Sequence, residues 1–79
     1  MRATMATPYS NQTKFFKLFG ARVKKLRLKA GLTQEDMMDF GFSVRFYQRI
    51  EAGKPIHMKT VFKLADALGI SLKQLFAKF

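Results

Sequence analysis

Cysteine is absent from this 79-residue chain, histidine occurs once (His57), and only five residues are acidic. Without cysteine there are no disulfides and no thiolate metal sites, which suits a reducing cytosol. A lone His57 gives no pair for an imidazole metal site and no catalytic triad. No enzymatic activity, metal or cofactor is therefore expected. No apolar run approaches the ~18 residues of a transmembrane helix. The stretch from Met1 to Thr13 lacks the apolar core of a signal peptide, and Lys14 and Lys17 interrupt the Phe cluster beyond it. A cytoplasmic protein is expected, with no membrane partner and no small-molecule ligand.

Positive charge is abundant. Fifteen Lys and Arg give a formal net charge of +10 and a sequence pI near 10.5. Such a surplus repels itself unless an anion neutralises it, and nucleic acid is the commonest partner of this kind. Apolar residues make up 48% of the chain, nine of them Phe, enough for a globular core and too many for a disordered basic tail. At this length there is room for one domain.

Residues 1–12 are small and polar and read as a flexible arm carrying Arg2, with the folded domain at 13–79. From Lys14 onward, Phe15, Phe19, Val23 and Leu26 recur at helical spacing, and Gly31 supplies a left-handed stop. Thr33 with Asp36 resembles a capping box for a second helix, through about Asp39. Gly41 allows a turn, and Ser43 caps a third helix to about Ala52. Met58, Val61, Phe62, Ala65 and Leu68 mark a fourth, stopped by Gly69, with His57 in the loop before it. Ser71 with Gln74 opens a fifth, containing Leu72, Leu75, Phe76 and Phe79. No strand alternation is visible. The fold class is all-α, a compact five-helix bundle.

The short helices between Thr33 and Ala52, joined by a tight turn, have the dimensions of a helix-turn-helix. Met37, Met38 and Phe40, with Phe42 in the turn and Tyr47 and Ile50 beyond it, are expected to close the interface between them. Val44, Arg45, Gln48 and Arg49 then face outward, with Phe46 at the edge. Arg matches the paired acceptors of guanine and Gln those of adenine. Phe46 has three possible uses: contact with a thymine methyl, insertion at a base step, or burial in the core, which is the expected one.

Four ordered blocks sharpen this: Gly31-Leu-Thr-Gln-Glu-Asp-Met37, Gly41-Phe-Ser43, Arg49-Ile-Glu-Ala-Gly-Lys54 and Leu64-Ala-Asp-Ala-Leu-Gly-Ile-Ser-Leu72. Together they resemble the Xre and Cro/C1-type repressor family over roughly Phe19 to Phe76. The resemblance implies a lambda-repressor-like five-helix domain that binds double-stranded DNA, usually as a homodimer on palindromic operators, in bacteria or phages.

By the same resemblance, Gln34 looks like the glutamine that contacts a phosphate and braces the recognition helix. Thr33, Ser43 and Lys54 fall at phosphate-contacting positions, the last through backbone amide and side chain. Val44, Arg45 and Arg49 fall at positions that face bases; Gln48, outward by its spacing, is a further base-contact candidate or else points along the backbone side. Arg27 and Glu51 match a buried salt bridge between the first and third helices. Met58, Phe62, Phe76 and Phe79 are dimer-contact candidates, and Phe15, Phe16, Leu18 and Phe19 either cap the bundle or pair with a second subunit.

Three departures stand out. The segment Met37-Met-Asp-Phe40 is one residue shorter than usual before its glycine, and Lys54 to Lys59 is also one short. Met38 stands where the family has a small residue, because the motif helices approach closely there. The implied function is sequence-specific transcription regulation on the nucleoid. The alternatives are an antitoxin-like protein-interaction module or a nonspecific nucleoid binder.

Overall fold

The computed structural model describes residues 8–77, with side chains from Gln12 to Ala77. Four α-helices and one 3₁₀ helix occur among them: α1 (Pro8–Lys29), the 3₁₀ helix (Glu35–Phe40), α2 (Val44–Glu51), α3 (Met58–Leu68) and α4 (Leu72–Leu75). No strand occurs among the described residues.

Helix α1 starts six residues before the expected Lys14, inside the segment read as an arm. Pro8 occupies its first position, where a fixed φ and a missing N–H suit a helix start. The rest of that arm, with Arg2, lies outside the described residues. Arg27 and Lys29 lie in the last turn of α1, the end a cation favours. The amides of Gly31 and Leu32 return to the carbonyls of Leu28 and Arg27 at 3.0 and 3.1 Å, closing the helix as a Schellman motif.

The second element corrects the expectation of an α-helix. The Thr33–Asp36 box does form: the Thr33 amide donates to Asp36 Oδ2 at 2.7 Å and the Asp36 amide to Thr33 Oγ1 at 3.1 Å. The chain from Glu35 to Phe40 nevertheless coils as a 3₁₀ helix. At ~2.0 Å rise per residue, its six residues span about the distance that eight span in an α-helix.

The same change redistributes the apolar side chains. Met37 is fully buried, but Met38 is 51% exposed and Phe40 42% exposed. Neither of the latter closes the helix-turn-helix interface as expected. At three residues per turn, Met38 points roughly 120° away from Met37; Phe40, the last residue of the element, follows Met37 by one turn and is nevertheless exposed. The close approach anticipated at Met38 therefore does not arise there.

Phe42, Tyr47 and Ile50 are buried as expected, joined in the core by Phe19 and Val23 of α1, Leu64 of α3 and Leu75 of α4. Aromatic residues of α1 stack on Phe76. Phe19 stacks on Phe76 at 5.4 Å between ring centroids, and Phe15 stacks on both. Leu18 faces outward. The Ser71–Gln74 box is complete, but α4 ends at Leu75, short of the expected run. Phe79 lies outside the described residues.

Long α1 crosses the end of α2 at Gly20. A Cβ there would lie 2.6 Å from the Ile50 carbonyl oxygen and 2.8 Å from that of Glu51. Only glycine lets the two backbones meet this closely, and this meeting sets the pose of α2.

Candidate nucleic-acid interface

Helix α2 is amphipathic over its eight residues. Ser43 caps it in extended conformation, with Oγ accepting from the Phe46 amide at 3.1 Å. Tyr47 and Ile50 anchor its inner face in the core. Arg45, Gln48 and Arg49 are exposed, and Val44 is half-buried. With ~100° of turn per residue, Gln48, Arg45 and Arg49 share one outward arc.

The expected Arg27–Glu51 pair holds this helix against α1. Arg27 Nε donates to Glu51 Oε2 at 2.7 Å, and the two side chains are only 7% and 5% exposed. A second guanidinium nitrogen donates to Glu51 Oε1 at 3.3 Å, and the third to the Leu32 carbonyl at 2.8 Å. Burial by itself raises the Glu51 carboxyl. Hydrogen bonds, first from Arg27 and also from Gln34, outweigh that and hold it below its ordinary range. The bond to Glu51 raises Arg27 in turn. The Tyr47 hydroxyl is buried beside this pair without a well-aligned hydrogen bond, and burial pushes its ionisation far up. The phenol stays neutral.

Gln34 extends the network. Its amide nitrogen donates to Glu51 Oε1 at 3.0 Å, while its amide oxygen accepts from Gln48 Nε2 at 3.3 Å. Gln34 thus links Glu51 to Gln48, which lies on one flank of the outward arc. Thr33 Oγ1 accepts from the Asp36 amide in the capping box and keeps its own proton to donate. The Ser43 hydroxyl accepts at the cap and keeps its own proton to donate.

Past α2, Gly53 (φ 92°) turns the chain. The Lys54 amide donates to the Arg49 carbonyl at 3.0 Å. That corrects the expectation of a phosphate contact through this amide, because helix termination claims the group first. The exposed side chain remains. It lines a cleft of about 240 Å³ together with Lys17.

Phe46 is the second correction. It is 40% exposed rather than tucked into the core. Sequence reasoning missed Gly20 and Lys63. The Lys63 ammonium donates to the Gly41 carbonyl at 2.6 Å and sits 4.6 Å over the Phe42 ring, pinning the turn. A small residue inside an otherwise helical run was the available signal for Gly20; Lys63 had none. Met58 and Phe62, one turn apart on α3, are 58% and 52% exposed, while Phe76 is half-buried in the aromatic stack. His57 lies in the loop before α3 as expected.

Among the described residues, no group of His, Cys, Asp or Glu stands together to hold a metal, and no helix is long and apolar enough to cross a membrane. Residues 23–75 match the family model described as helix-turn-helix. Over 56 residues the chain is 41% identical to a prophage-derived, HTH-type transcriptional regulator, YonR, of Bacillus subtilis. The match covers 68% of this chain and 52% of that protein, so the chain spans about half the length of this relative. No solved structure matches. With the family model covering most of its length, the chain belongs to the Xre and Cro/C1-type helix-turn-helix family.

Proposed function

We propose that the chain binds duplex DNA as a sequence-specific transcription regulator, laying α2 in the major groove. The observation that carries this is the build of α2: a buried face locked by Arg27, Glu51 and Gln34, and an opposite face presenting Arg45, Arg49 and Gln48. Base-edge readout needs such rigid presentation, because guanidinium and amide groups read purines through paired hydrogen bonds. The surplus of +10 supplies sequence-independent affinity through counterion release. Ser43, Thr33, Gln34 and the side chain of Lys54 flank α2 where phosphate strands pass.

The chain acts as a homodimer on a palindromic site, its subunits meeting through Met58 and Phe62 on α3. Half-sites then lie about one helical turn apart, ~34 Å. The protein works in the cytoplasm, on the nucleoid, without enzymatic activity. The regulator named among its relatives supports the regulatory role.

Competition binding with a preferred duplex and its single-base variants tests the assignment. Arg45→Ala and Arg49→Ala are each expected to relax preference at one base pair by ~1–3 kcal/mol, while Lys54→Ala weakens every sequence about equally. An Arg variant that keeps full selectivity removes that residue from the base contacts.

A further inference from the structure

Phe46 occupies the flank of α2 opposite Gln48, roughly 60° around the helix from Arg49 and 100° from Arg45. A phenyl ring 40% exposed beside two guanidinium groups is out of keeping with a face built only for polar readout. Nor is the ring loose. It lies nearly parallel to Phe42, at 14° and 6.4 Å between centroids. Phe42 is itself buried, with the Tyr47 ring edge-on at 5.7 Å and the Lys63 ammonium over its face. The Phe46 amide is fixed by the Ser43 cap, which places this side chain in the first turn of α2. In a helix-turn-helix, that end of the recognition helix meets the base edges.

We propose that Phe46 is a specificity-determining residue that reads the 5-methyl group of a thymine at the edge of each half-site. The methyl is the one apolar group that base pairs present in the major groove. A braced phenyl ring gains from covering it and gains nothing from a guanine or cytosine edge. Insertion between base steps is mainly a minor-groove device that kinks the duplex, and a ring stacked on Phe42 has no free reach for it. The inference rests on the groove-binding function proposed above, and its test separates the two.

The full-length chain and its Phe46→Ala and Phe46→Leu variants are titrated with a preferred duplex in which each thymidine in turn is replaced by deoxyuridine. That replacement removes only the methyl. One position is expected to weaken wild-type binding about fourfold, the effect of one buried methyl group. Phe46→Ala is expected to bind more weakly and to ignore that position, with Phe46→Leu retaining part of the sensitivity. Equal methyl sensitivity in wild type and Phe46→Ala overturns the assignment while groove binding stands. So does a Phe46→Ala variant whose only defect is subunit association. Failure of the wild-type chain to prefer any duplex overturns both readings.

Discussion

At the scale of single residues, Glu51 holds α2 in place. It receives Arg27 and Gln34, and through Gln34 it is linked to Gln48 on the outward face. Taking one partner from a buried pair leaves the other charge uncompensated, at a cost of ~3–5 kcal/mol, whereas apolar replacement of both is often neutral. Urea unfolding of Arg27→Ala at neutral pH is expected to show a loss of that size, and Arg27→Met with Glu51→Leu to recover most of it. The folded carboxyl ionises below its ordinary value of 4.5. Its stabilisation is therefore complete above about pH 4.5 and is lost as pH falls through the lower folded value. Glu51→Gln is expected to flatten that acid slope. An unchanged slope places the acid sensitivity in other carboxylates.

Among the elements, the decisive contact is α1 on α2 at Gly20. Alanine there meets two backbone carbonyl oxygens, which have no flexible end to give way. Overpacking of this kind costs ~1–3 kcal/mol, and with backbone on both sides the upper part of that range is expected. The gain of ~1 kcal/mol in helix propensity does not offset it. Gly20→Ala should therefore lower the thermal midpoint; a raised midpoint means that the helices separate freely at this crossing.

Much of this layer was legible in the sequence, because long periodic stretches and caps are local. The spacing from Met58 to Leu68 and the Ser71–Gln74 box needed no partner to be recognised. The exchange of α for 3₁₀ between Glu35 and Phe40 was not legible. Six residues make too few turns for a period of 3.0 to be told from 3.6, so the inward side chain among Met37, Met38 and Phe40 could not be fixed. Phe46 borders the buried stripe of α2, roughly 40° around the helix from Ile50 and 100° from Tyr47, where helical periodicity permits either face. Gly20 and Lys63 act through contacts with distant segments, Ile50 and Gly41, that a one-dimensional pattern does not reveal. In the candidate interface, Arg45, Arg49 and the Arg27–Glu51 brace followed from spacing and family resemblance. The loss of the Lys54 amide to the Arg49 carbonyl depended on how the helix ended.

For the whole molecule, the proposed function divides the work between charge and shape: the net charge of +10 would attract any duplex, and the outward face of α2 would convert part of that attraction into preference. Selection of bound sequences from a randomised duplex pool, run at two salt concentrations, tests this division most directly. If each subunit of a dimer neutralises about four phosphates, affinity should fall with a log–log salt slope of roughly −7. The expected result is a palindromic motif, with half-sites about one helical turn apart, that survives the higher salt. Uniform recovery of the pool, collapsing as salt rises, contradicts sequence-specific regulation and leaves a nonspecific electrostatic binder.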